Sequence, residues 1–186
     1  MNKCVFSLCL LLPVLFFSPL VYGEDLSWED LNSSVTGYYQ EQKFSKAADF
    51  AEQALELARK GKSPEQLATS LNNLAMINTH LGKFGEAEIL NKEALGVRQN
   101  AFGLNDIRVA GSWNNLGLIY FFVKKMADAE QCFVEALHIY EEHYGKTSQE
   151  IIPALEKLGK FYKKTENSHK EEEITERIQA LTTGAE

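Results

Sequence analysis

Two short stretches carry the same pair of amides. "LNNLAMIN" at 71–78 and "WNNLGLIY" at 113–120 hold Asn72-Asn73 and Asn114-Asn115 in one register. Asparagine is a mediocre helix former. Yet Trp113, Leu116, Gly117 and Tyr120 around the second pair fall at i, i+3, i+4 and i+7, one face of a helix. A neutral amide donates and accepts hydrogen bonds at once, so a row of amides can hold the backbone of an extended peptide without dictating its side chains. Two adjacent aromatics follow at Phe121 and Phe122, and a run of cations at Lys157, Lys160, Lys163 and Lys164. Amides, rings and ammonium groups are the chemistry of binding.

The residues for catalysis do not assemble in the same way. His138 and His143 are five apart and lack the acidic companion of a zinc-protease helix, while His80 and His169 lie far from both. There is no phosphate-cradling glycine loop, no nucleophile elbow and no cysteine pair for zinc. The sequence therefore implies no catalytic residue, no metal and no cofactor. Its 26 acidic against 19 basic residues give a net charge of −7, which opposes nonspecific nucleic-acid binding. Cys132, beside Phe133, reads as a buried, inert thiol; an exposed reactive thiol is the alternative.

The first 23 residues stand apart from the rest. "MNKCVFSLCLLLPVLFFSPLVYG" has one early cation, Lys3, then an apolar run from Val5 to Phe17, then a less apolar end. That layout is a secretory signal peptide cleaved after about Gly23. An uncleaved membrane anchor is the rival reading, and the stretch is short for it and interrupted by Pro13 and Pro19. Loss of Lys3 from the 19 basic residues leaves a mature charge of −8 and one cysteine. The expectation is a protein secreted or held in a periplasm, its fold resting on a hydrophobic core without an internal disulfide.

The amide pairs mark an internal period. A shift of 42 carries Asn72 to Asn114, Ala87 to Ala129 and Ala94 to Ala136, and a further 42 carries Gly117 to Gly159 and Tyr120 to Tyr162. Upstream the step is 40, matching "KFSKAADFAEQAL" to "KFGEAEILNKEAL". Four units follow, near 28–67, 68–109, 110–151 and 152–183, behind the segment 1–23. Each reads as two helices; in the third unit they run over about 107–123 and 126–143. Small residues such as Gly117 and Ala129 are expected where the two helices cross. Connectors carry stop and start signals: Gly61 then Ser63-Pro64, Gly103 then Asn105 or Asp106, Gly145 then Thr147 with Glu150 as a capping box.

"WNNLGLIY" followed by Ala129 and Phe133 resembles the tetratricopeptide pattern of Trp-x2-Leu-Gly-x2-Tyr, then Ala-x3-Phe. The longer period, with "EAL" and an aromatic-Gly before the next unit, resembles the kinesin-light-chain-like subclass. The likeness runs from about Trp28 to Leu181 and is strongest in units two and three. Unit one departs at Ser34 and Val35, and unit four at Glu171 and Ile178, as terminal capping repeats do. The resemblance implies an all-α, right-handed superhelical solenoid of about four antiparallel helix pairs. It further implies a non-catalytic protein–protein interaction module.

In such a stack one stripe of each first helix lines the concave side. The resemblance puts Asn72, Asn73, Met76 and His80 there in unit two. Unit three supplies Asn114, Asn115, Leu118, Phe121 and Phe122, and unit four Lys157, Lys160 and Lys164. The implied partner is an extended peptide or loop with an apolar residue and an acidic group or free carboxylate. Other readings stay open at this point: asparagines bonded only within the stack, a solvated lysine face, and a homodimer formed through the groove or last repeat. A small enzyme using His80 or His138 is the reading from another class. No nucleic-acid partner is expected, and membrane contact only through an uncleaved first segment.

Overall fold

The computed structural model describes residues 26–184, so the expected signal segment lies outside the described residues. Among the described residues there are eight α-helices and no strand. They pair as α1 (Trp28–Gln40) with α2 (Phe44–Lys60), α3 (Pro64–His80) with α4 (Phe84–Phe102), α5 (Ile107–Phe122) with α6 (Met126–Tyr144), and α7 (Ile152–Lys164) with α8 (Ser168–Thr183). A short 3₁₀ turn, Gln149–Ile151, precedes α7.

Local chemistry explains most boundaries. Ser63 accepts from the Gln66 amide at 3.3 Å with Pro64 opening α3, and Asp106 caps α5 by accepting from the Arg108 amide at 3.0 Å. The Arg108 guanidinium beside it holds the Asp106 carboxyl down at about 2. One cap differs from expectation. Ser148, not Thr147, accepts from the Glu150 amide at 3.2 Å, because the chain opens a 3₁₀ turn there before it becomes α-helical. Within each unit the turn between helices places one residue at positive φ: Gln42, Gly82, Lys124 and Glu166. Each is followed by an amide bonded back to the fifth residue before it, as from Lys83 to the Asn78 carbonyl at 2.8 Å and from Lys125 to that of Tyr120 at 2.9 Å.

Alanines hold the pairs together. Ala47, Ala87 and Ala129 are fully buried near the start of each second helix, and Ala94 and Ala136 likewise two turns on. Glu171 and Ile178 take these places in α8, which has no buried residue. The outward face of α8 changes as well: exposed Thr175, Gln179 and Thr182 stand where α6 has Phe133, Leu137 and Tyr140. The expected crossing of Gly117 on Ala129 also needs refinement. A Cβ on Gly117 would lie 3.0 Å from the Phe133 ring, so the glycine makes room for an aromatic.

Candidate peptide-binding groove

The first helices of successive units are tied side by side by polar side chains. Trp28 Nε1 donates to Ser70 Oγ at 2.8 Å, Asn73 Nδ2 to Asn32 Oδ1 at 2.7 Å, and Asn72 Nδ2 to Ser112 Oγ at 3.0 Å. These odd-numbered helices form the inner layer, and two concavities open on it.

The first, of about 300 Å3, is lined by Thr36 and Tyr39 from α1, Asn73 and Met76 from α3, and Asn115 from α5. Asn73 spends one donor on Asn32, and its Oδ1 accepts nothing from the described residues. Asn115 is half-buried, and its side-chain amide makes no hydrogen bond to the described residues. The second concavity, of about 260 Å3, lies between α5 and α7. Leu118, Phe121 and Phe161 wall it, Phe133 is its floor, and Phe122, Lys157, Lys160 and Lys164 form the rim. Phe122 is 47% exposed and stacks on Phe84 with ring centres 6.1 Å apart.

Nine of the expected groove residues thus line the two concavities, and three do not. Asn72 and Asn114, 5% and 3% exposed, lie inside the stack. Asn72 bridges two partners, accepting from Asn91 Nδ2 at 3.0 Å while donating to Ser112. His80 is exposed but engaged: Tyr39 Oη lies 2.8 Å from its Nε2, and the Phe44 ring stacks on it at 4.5 Å. Phe133 and Phe161 were not expected in the groove. The signal for Phe133 was present in the repeat itself, since it replaces the buried Asn91 at the equivalent position.

Asn114 lacks the hydroxyl partner that Asn72 finds in Ser112. Its Nδ2 is buried without a partner, because Ala154 follows Ser70 and Ser112 in the 42-residue register and brings no hydroxyl. Ala154→Ser is expected to stabilise the protein by about 1 kcal/mol through that one bond. A urea midpoint that stays put or falls would show that Asn114 cannot reach position 154. Elsewhere, burial pushes the Cys132 thiol up to about 12, which leaves it protonated and unreactive at neutral pH. Among the described residues no three His, Cys, Asp or Glu side chains are grouped to hold a metal, and no helix is long and apolar enough to cross a membrane.

Stacked helix pairs with an amide-lined inner face define a helical-repeat binding scaffold. Tetratricopeptide repeat models match residues 34–100 and 109–150, together more than half the chain, and the chain belongs to that family. Tetratricopeptide repeats are in general protein-interaction modules. No curated protein sequence matches the chain. Among solved structures, BtubC (BKLC) from P. vanneervenii is similar in fold, with a TM-score of 0.71 and 22% identity over 85% of this chain and 63% of that one. A Podospora anserina kinesin light chain-type protein with nearly identical TPR-like repeats gives 0.70 and 14% over 84% and 75%. A Rap protein complexed with competence and sporulation factor gives 0.73 and 21% over 84% and 42%. The chain thus spans less than two thirds of the first of these, and under half of the Rap protein.

Proposed function

We propose that the protein is a non-catalytic adaptor or assembly factor that captures an extended segment of a partner protein along its inner face, outside the cytoplasm. One observation carries the reading. Of each asparagine pair, the first member is buried in the stack, while the second lines an open concavity with hydrogen-bonding capacity to spare. Polar groups in a packed stack ordinarily find partners, so amides left over on a concave surface are suited to the backbone of a guest strand. That a solved Rap protein of similar fold holds a bound factor supports this use of the scaffold. The location outside the cytoplasm rests on the first 23 residues, with their single cation and apolar run.

The test is affinity capture from the extracytoplasmic fraction with the wild-type chain and with Asn73→Ala/Asn115→Ala, after circular dichroism shows equal helix content. A partner held by the first and lost by the second is the expected result. The same partner on both would place recognition away from the amides. Sequencing of the purified protein is expected to begin at about Glu24; a start at Met1 would overturn the proposed cleavage.

A further inference from the structure

The last helix is fastened differently from the rest. Among the described residues α8 is the one helix without a buried residue. Its apolar stripe, Ile174, Ile178 and Leu181, packs on the cluster that holds Ile151, Leu155, Leu158 and Tyr162, yet stays half-buried. The counterparts 42 residues earlier, Cys132, Ala136 and Ile139, are no more than 3% exposed. Gly159 lets the stripe approach α7, since a Cβ there would lie 3.2 Å from Ile174 Cγ2. The hydrophobic hold on α8 is therefore real but one-sided.

The remaining hold is polar and reaches across to α6 and to the segment before α7. Lys170 pairs with Glu130, which also accepts from Tyr162 Oη at 2.9 Å. Arg177 pairs with Glu141 at 2.7 Å and donates to the Lys146 carbonyl at 3.1 Å, while Gln149 Nε2 donates to the Leu181 carbonyl at 3.0 Å. Lys163 reaches Glu171 only at 4.0 Å. The Glu141 side chain is 12% exposed, and a carboxylate so sheltered requires a cation. Both charged anchors on the α6 side are thus carboxylates, yet α8 carries four glutamates against two full cations. Glu173 brings further negative charge to the same place: burial first, then Glu130 and Glu173, raises the pKa of the Tyr162 hydroxyl. The α8 helix matches its seat at Lys170 and Arg177 and opposes its charge elsewhere.

We propose that α8 is a displaceable latch, and that the seat beneath it on α6 and α7 receives a cationic amphipathic helix of a partner protein. The spacing that such a helix repeats is the one α8 displays. Two cations seven residues apart meet Glu130 and Glu141, and apolar residues take the places of Ile174, Ile178 and Leu181. Without the glutamates of α8 it suits the two carboxylates better than α8 does. Lifting α8 breaks no contact with a following unit, so this end of the stack opens at lower cost than any inner helix. The seat involves the outer layer of helices, and the proposal is independent of the reading given to the inner groove.

The test follows the full chain, as processed by the cell that makes it, by hydrogen exchange at low and high salt. The amides of α8 are expected to exchange about tenfold faster than those of α7, and salt to accelerate α8 alone, because it screens the two ion pairs. A fluorescent peptide of residues 167–184 carrying Glu172→Lys/Glu173→Lys/Glu176→Lys is then titrated in. It is expected to bind, and to speed exchange in α8 while α7 stays protected. Arg177→Gln in the chain is expected to tighten peptide binding about tenfold by weakening the competitor, and Glu130→Gln/Glu141→Gln to abolish it with α1 to α7 still protected. If α8 exchanges as slowly as α7, the latch is overturned. If α8 opens and the peptide does not bind, the helix merely frays and the seat is overturned. Equal binding to the Glu130→Gln/Glu141→Gln chain puts the peptide elsewhere and overturns the proposal as well. So does a dimer that grows with concentration and that the peptide dissolves, which would make the occupant a second copy of this chain.

Discussion

Phe161→Ala is expected to cost about 3–5 kcal/mol, the range for removing a buried aromatic from a core. Phe161 is 6% exposed, with ring centres 5.5 Å from Phe133 and 6.2 Å from Phe121. It belongs to the cluster that includes Leu155, Leu158 and Tyr162, on which Ile174 and Ile178 of α8 also pack. Its removal merges the vacated volume with the existing concavity, so the surroundings cannot close over it. Stability in a repeat stack is carried mainly between neighbours, so the damage should concentrate in the last pair. Hydrogen exchange is expected to speed up across α7 and α8 and to change little in α1 to α4. A loss below about 1 kcal/mol in urea unfolding, or uniform exchange along the chain, would show that α7 is held by something other than this aromatic seam.

The two members of an asparagine pair are expected to behave oppositely. Asn72→Ala should cost about 2–4 kcal/mol, because it strands the Asn91 Nδ2 donor in the interior, removes the bond to Ser112 and leaves a small cavity. Arg98 shares the network, donating to Ser112 Oγ at 3.0 Å and to Glu65 Oε1 at 2.8 Å, so the loss spreads to the seam between units two and three. Asn73→Ala removes a single half-buried bond to Asn32 and should cost about 1 kcal/mol or less. Partner capture should follow the reverse order: weakened by the second substitution, and by the first only in proportion to unfolding. Equal stability losses from the two substitutions would dissolve the division of labour on which the groove reading depends.

The sequence by itself determined the helix pairs, their number and their register, because a 3.6-residue apolar period, cap residues and a 42-residue repeat are all local or self-referential signals. Nine of the twelve residues it put in the expected groove line the two concavities, since helical periodicity lays Asn73, Met76, Leu118, Phe121 and Lys157 along one stripe once the stack is given. The resemblance already favours Asn73 and Asn115 for the groove, but that Asn72 and Asn114 are buried inside the stack was decided by tertiary structure. Consecutive residues on a helix are about 100° apart, so both members border the groove and the seam. The choice falls to packing: Ser112 of the next unit and Asn91 of its own unit hold Asn72 inside, while Asn73 meets only Asn32. The same is true of the apolar cavity. Gly117 and Phe133 lie sixteen residues apart on different helices, and each is ordinary in its own. Only their meeting, a ring set where a Cβ is missing, gives the space between α5 and α7 its aromatic floor.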